Sequence, residues 1–192
     1  MKKLTGPNKN KTAVFISGTG SNLKNLIKFS LKKKTPISID LVISNKKNAK
    51  GLIYAKQKKI LKKIFNFSET KKSEKKILYL LNKKKIKLIC LAGFMKILSN
   101  NFIKKFNGKI INIHPSLLPN YKGLNTHKRS LLNNEKYSGC TVHYVTNKLD
   151  SGKIILQKKV KIIKTDTVES LKKKVLKEEY KLYPKAIMKI FN

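Results

Sequence analysis

Three groups of residues have the types and spacing to do chemistry. Asn112 and His114 stand two residues apart in KIINIH, ahead of Pro115-Ser116-Leu117-Leu118-Pro119. In a strand, alternation sends both side chains to one face. The carboxyl end of a strand is also where open α/β sheets bind ligands. An amide and an imidazole aimed together suit an acyl transfer, one polarising a carbonyl oxygen and the other handling a proton. A histidine that only ties down the following loop would have the same spacing. Asp150, in KLDSG, is one of only nine acids. A carboxylate beside an imidazole favours the charged ring, whereas a turn aspartate bonds its own backbone, and the spacing leaves both open. The third group is Gly18-Thr19-Gly20-Ser21-Asn22, placed between an apolar run and a helical pattern. Backbone N–H groups at such a helix start form an anion site. Leu23 stands where a dinucleotide fingerprint needs its third glycine, no acid follows the second strand, and no G-K-[ST] follows the loop. A monophosphate therefore fits better than NAD or ATP, and a tight turn without ligand is the alternative. His143 reads as a structural imidazole within a strand, and His127 as surface or site.

These groups need elements to position them. Ala13–Ser17, Ile37–Ser44, Leu88–Ala92 and Lys109–His114 read as strands, with Lys62–Phe67 a weaker one. Between them Asn22–Lys33, the segment around Leu52–Lys58, Lys72–Lys85 and Ser99–Phe106 have helical spacing. This alternation predicts a mostly parallel, doubly wound sheet. After Pro115 a long loop runs to Asn134, with a helical turn near His127–Leu132. Gly139–Val145 and Ile154–Ile162 read as antiparallel additions, and a last helix runs from about Thr167 to Phe191 with Thr167 as its cap. With no repeat or linker, residues 1–192 read as one domain, with 1–12 as a flexible tail.

Composition removes several classes of function. The chain has 192 residues, 46 basic against nine acidic side chains, and a net charge of +37. No run approaches the ~18 apolar residues of a membrane span, and the basic start has no apolar stretch behind it to make a signal peptide. Cys90 and Cys140 have no metal-ligand spacing and read as buried free thiols in a reducing compartment. The charge invites a nucleic-acid reading. However, Arg129 is the sole arginine, tryptophan is absent, and the lysines run from Lys2 to Lys189. Lys, Asn and Ile have A/T-rich codons, so we attribute the charge to base composition.

In order along the chain, FISGTGSNLKNLI, LAGFMKIL, NIHPSLLPNYKGLNTHKRSLLNN, GCTVHYVTNKLDSGKIILQKKV and EEYKLYP resemble the phosphoribosylglycinamide formyltransferase family of purine synthesis. The likeness covers nearly everything from Val14 to Pro184, and the ordered set is specific where each piece alone is not. The resemblance implies a Rossmann-like fold. It also implies transfer of a formyl group from 10-formyltetrahydrofolate, a co-substrate, to the amine of 5-phosphoribosylglycinamide, with no metal. Gly20, Ser21 and Asn22 match the loop for the ribose phosphate, and Glu179 the carboxylate near the glycinamide amine. Without the resemblance, Glu179 would read as a lysine's partner on its own helix. Met95, Lys96, Ile97 and Leu98 match one wall of the folate pocket, and Thr146, Asn147, Lys148, Leu149 and Asp150 the other. Asn112, His114 and Asp150 match the catalytic trio, with Asn112 also facing folate.

The departures are Lys96 for an arginine, which keeps charge but loses a planar fork, Asn125 for a histidine, and Ser151 for a glycine. Lys71 or Lys72 would serve as the basic folate-loop residue, and the chain stops short of the extension many relatives have. The expected partners are small molecules, with no specific nucleic acid and no membrane, in a cytoplasmic monomer or homodimer. Two relatives share the HPSLLP-type loop. Methionyl-tRNA formyltransferase would need a further C-terminal domain, and formyltetrahydrofolate hydrolase a further N-terminal one and no phosphate loop. A lysine-rich nucleic-acid binder on a degenerate scaffold would have no reason to keep all three of Asn112, His114 and Asp150.

Overall fold

The computed structural model describes residues 9–191. Seven strands form one sheet in the order β3-β2-β1-β4-β5-β6-β7. They are β1 (Asn10–Ile16), β2 (Ile37–Ser44), β3 (Leu61–Ile64), β4 (Leu88–Leu91), β5 (Lys109–His114), β6 (Tyr137–Tyr144) and β7 (Ile154–Lys161). The first five are parallel, and β6 and β7 add antiparallel to the edge. Six helices accompany them: α1 (Ser21–Ser30), α2 (Leu52–Gln57), α3 (Thr70–Lys83), α4 (Asn100–Lys105), α5 (Thr126–Leu132) and α6 (Val168–Phe191). The doubly wound architecture expected from the alternation is present. None of these helices is long and apolar enough to cross a membrane.

Alternation along β1 explains the two layers. Val14 and Ile16 face α1 and α6, packing with Leu23, Leu26, Val175 and Tyr183. Ala13 and Phe15 face α3 and α4, packing with Ile77, Leu81 and Phe102. All four β1 residues are fully buried, as a central parallel strand covered on both faces requires. Cys90 and Cys140 are buried and unpaired, and burial pushes both thiols up to about 12.

Several boundaries differ from expectation for local reasons. The expected tail of residues 1–12 is too long: β1 already begins at Asn10, whose N–H bonds the Pro36 carbonyl at 2.8 Å, and residues 1–8 lie outside the described part. Helix α1 stops at Ser30 rather than Lys33, because the Thr35 hydroxyl donates to the Ser30 and Lys32 carbonyls. Strand β3 stops at Ile64, and Asn66 then caps a short 3₁₀ turn by accepting from the Ser68 N–H at 3.0 Å. The α6 cap is as expected: Thr167 Oγ1 accepts from the Ser170 N–H, and Ser170 Oγ from the Thr167 N–H.

Two features dock α1 at the carboxyl edge of the sheet. Pro184 lies inside α6 and has no N–H for the Tyr180 carbonyl four residues back. Asn25 of α1 donates to that carbonyl instead, at 2.7 Å. At the other end of α1, Gly20 has φ +72°, and a Cβ there would lie 2.5 Å from the Gly51 Cα. The glycine turn thus serves close backbone approach as well as leaving the helix start open. Gly20→Ala should destabilise the fold by about 2 kcal/mol or more, since it adds both a clash and a strained backbone. Thermal melting checks this, and an unchanged midpoint would contradict the packing role.

Candidate active site

The antiparallel switch at β5 builds the site. The β5–β6 register sets Asn112 directly opposite His143, and His114 opposite Thr141. Both strands therefore present polar side chains on one face at the edge where the parallel strands end. Asn112 Nδ2 donates to His143 Nε2 at 3.2 Å, while His143 Nδ1 donates to the Tyr144 carbonyl at 2.9 Å. That second bond fixes the tautomer and leaves Nε2 as the acceptor in the neutral ring. Burial, the strongest influence, lowers the His143 pKa below 6.5, against the Tyr144 bond and the Asp150 charge. His143 is thus no isolated structural imidazole. The signal available in the sequence was a polar pair two apart in each of two neighbouring strands, visible only once they are known to pair.

Asp150 is where the cluster meets. Its side chain is 9% exposed and lies 3.3 Å from His114 Nδ1 and 3.7 Å from His143 Nε2. Its Oδ1 accepts from Asn112 Nδ2 at 3.5 Å, and its Oδ2 accepts from the Gly123 N–H at 2.9 Å. The turn reading of Asp150 is only half right: φ is +44°, yet the carboxylate bonds a distant loop rather than its own turn. His114 likewise has both of the roles left open. Its Nε2 donates to the Tyr121 carbonyl at 2.9 Å, tying down the loop after Pro115, while Nδ1 faces the carboxylate. Both of these partners are oxygen atoms.

Beside this cluster lies an open cleft. Leu91, Phe94, Leu98 and Val145 form an apolar wall, Lys96 and Lys148 add positive charge, and Asn112, His143 and Asp150 close one end. Ile97, Thr146 and Leu149 line it too, so most of the two segments singled out in the sequence meet here. Met95 and Asn147 are not among the lining residues. Met95 is 57% exposed and contributes its backbone, whose N–H bonds Ser17 Oγ at 2.7 Å. Lys72 pairs with Glu69 at 3.0 Å beside a neighbouring hollow, and neither it nor Lys71 lines the cleft. Glu74, which sequence reasoning missed, is buried on α3 and accepts from both the N–H and hydroxyl of Ser99. It thereby anchors the end of the Met95–Leu98 segment.

A second group lies on the α1–α6 side. Glu179 is 6% exposed and accepts from Asn22 Nδ2 at 2.7 Å. No lysine pairs with it among the described residues, so the lysine-partner reading fails. Burial pushes its carboxyl up to about 7, with the Asn22 bond opposing. The Asn22 Oδ1 is buried with no partner. No side chain caps the start of α1, where Gly20, Ser21 and Asn22 stand. Its first N–H groups and dipole therefore remain available to an anion.

Comparison with known proteins places this geometry. A family model described as formyl transferase matches residues 10–187. A phosphoribosylglycinamide formyltransferase of Haemophilus influenzae is 43% identical over 180 residues, covering 92% of this chain and 85% of that protein. The trifunctional purine biosynthetic protein adenosine-3 of Homo sapiens is 42% identical over 182 residues, but the chain spans only 18% of its length. The crystal structure of phosphoribosylglycinamide formyltransferase from Brucella melitensis matches with a TM-score of 0.90 and 42% identity, covering 95% of this chain and 96% of that one.

The raised carboxyl of Glu179 has a consequence for stability. The folded state holds this proton more tightly than the unfolded chain, whose carboxyl titrates near 4.5. Its contribution is complete below that value and is lost as pH rises through about 7. Glu179→Gln keeps an acceptor for Asn22 and removes the titration. The variant should melt higher than the parent above neutrality, with the gap closing in acid. Melting curves that stay parallel across this range would show that Glu179 does not titrate there.

Proposed function

This chain belongs to the formyl transferase family, and we propose that it moves a formyl group from 10-formyltetrahydrofolate to the amine of 5-phosphoribosylglycinamide, in de novo purine synthesis. The observation that carries this reading is that Asn112 and Asp150 line the end of the cleft while His114, buried and not itself a lining residue, pairs with the same carboxylate. An amide donor, an imidazole and a carboxylate are the groups that an acyl transfer between two amines calls for.

In this reading the cleft takes the folate, with its ring against Leu91, Phe94, Leu98 and Val145 and its acidic tail toward Lys96 or Lys148. The start of α1 takes the phosphate, and Glu179 takes the amine end of the second substrate. The amine nitrogen attacks the formyl carbon, and the carbonyl electron pair moves onto oxygen. Asn112 Nδ2 and His114 stabilise that oxygen. The bonds that now hold Asn112, at 3.2 and 3.5 Å, are long enough to be exchanged for it. The carbon–N10 bond then breaks, N10 gains a proton and the attacking amine loses one. His114 and Asp150 lie where that proton passes, and no step needs a metal. The reading carries with it a cytoplasmic location and small-molecule partners.

The test is direct. The purified chain should convert the two substrates to formylated glycinamide ribonucleotide and tetrahydrofolate, and no transfer would reject the reading. Asp150→Asn keeps the size of the side chain but removes its charge. It should lower kcat by about 10²-fold or more with little change in either KM. A wild-type kcat in this variant would reduce Asp150 to a structural acceptor.

A further inference from the structure

The loop between β5 and α5 has an expensive backbone. Tyr121, Gly123 and Asn125 all have positive φ, at 56°, 78° and 56°. Two of the three carry a side chain, and such residues persist only where their surroundings over-determine them. The conformation has a result at the site: it aims the Tyr121 carbonyl at His114 Nε2 and the Gly123 N–H at Asp150 Oδ2, each at 2.9 Å.

The restraint comes from α5 and the turn after it. Arg129 Nη1 donates to the Lys122 carbonyl at 2.7 Å and reaches the Leu124 carbonyl at 3.5 Å, so the guanidinium spans Gly123. Its central carbon stands 5.2 Å from the centre of the Tyr121 ring. Glu135 accepts from the Tyr121 hydroxyl at 2.6 Å, and Asn133 Nδ2 donates to the same oxygen at 3.0 Å. Arg129 is the sole arginine among 46 basic side chains. Lys109 shows that a lysine can sit over a ring and donate to one carbonyl beside it, but its ammonium is a compact point charge without the planar face of a guanidinium.

We propose that Arg129 is a positioning residue for the reaction: stacked on Tyr121 and bonded to the Lys122 carbonyl, it holds the loop that sets the orientation of His114 and Asp150. It touches neither substrate in this scheme. It acts through the Tyr121 carbonyl and the Gly123 N–H, so its loss affects the chemical step and leaves both binding pockets intact. The kinetic part of the test rests on the formyl-transfer reading.

The experiment compares Arg129→Ala, Arg129→Lys and a control, Lys128→Ala, exposed on the same helix. Arg129→Ala should lower kcat about tenfold with each KM within about twofold of the parent. Millimolar guanidinium, which can refill the vacated position, should restore much of the rate. Arg129→Lys keeps the charge without the fork and should stay slow with or without guanidinium. Hydrogen exchange at the Gly123 amide gives a readout that needs no activity: exchange should quicken in Arg129→Ala and slow again with guanidinium. A parent with no formyl transfer overturns the reading of function and leaves the exchange measurement to decide the clamp. Should Arg129→Ala fail to fold, Arg129→Lys carries both measurements. Parent-like kcat and Gly123 exchange in the Arg129 variants would overturn the proposal, as would a kcat loss matched by Lys128→Ala.

Discussion

Asp150 draws together parts of the chain that are far apart in sequence: Asn112 and His114 on β5, His143 on β6 and the Gly123 N–H from the intervening loop. A carboxylate taken out of water costs free energy unless donors replace its hydration, so the Asn112 amide and the Gly123 N–H have to arrive for Asp150 to be stable where it stands. That demand reaches back into the fold. The sheet turns antiparallel after β5 so that β6 sets His143 opposite Asn112, and the chain must then double back past the strand end to present Asp150. The return is tight enough that a Cβ on Gly152 would fall 1.7 Å from the Tyr144 carbonyl oxygen. The topology of this edge follows from the need to surround one charge.

Much of this was legible in the sequence, for an identifiable reason. Parallel strands buried on both faces are continuous apolar runs, so AVFIS and LICLA announce themselves, and their alternation with helical spacing fixes the layers. Asn112 and His114 were legible because alternation within one strand places them together. His143 was not, because its role depends on the register between β5 and β6, which no local pattern encodes. Glu74 stayed hidden for a related cause: its partner, Ser99, is 25 residues away on another element. Glu179 was legible only through resemblance to a family. By spacing alone it sits in a lysine-rich helix, and only the structure shows that it faces Asn22 rather than a lysine.

The site also shows how so basic a chain keeps carboxylates apart from its lysines. Three lysine–carboxylate pairs occur among the described residues, Glu69–Lys72, Asp166–Lys174 and Glu178–Lys181, and in each the lysine is exposed or half-exposed. Asp166 is a buried side chain held by a lysine, but none of these pairs involves Glu74, Asp150 or Glu179. Those three accept from amide N–H groups and a hydroxyl, with two imidazole rings beside Asp150, rather than from lysines. A lysine in direct contact would instead favour the ionised form of a carboxylate. Base composition can therefore load the surface with lysine, provided no lysine becomes a first neighbour of these three acids. Among the described residues, the lysines reach the cleft wall at Lys96 and Lys148, but not the three acids.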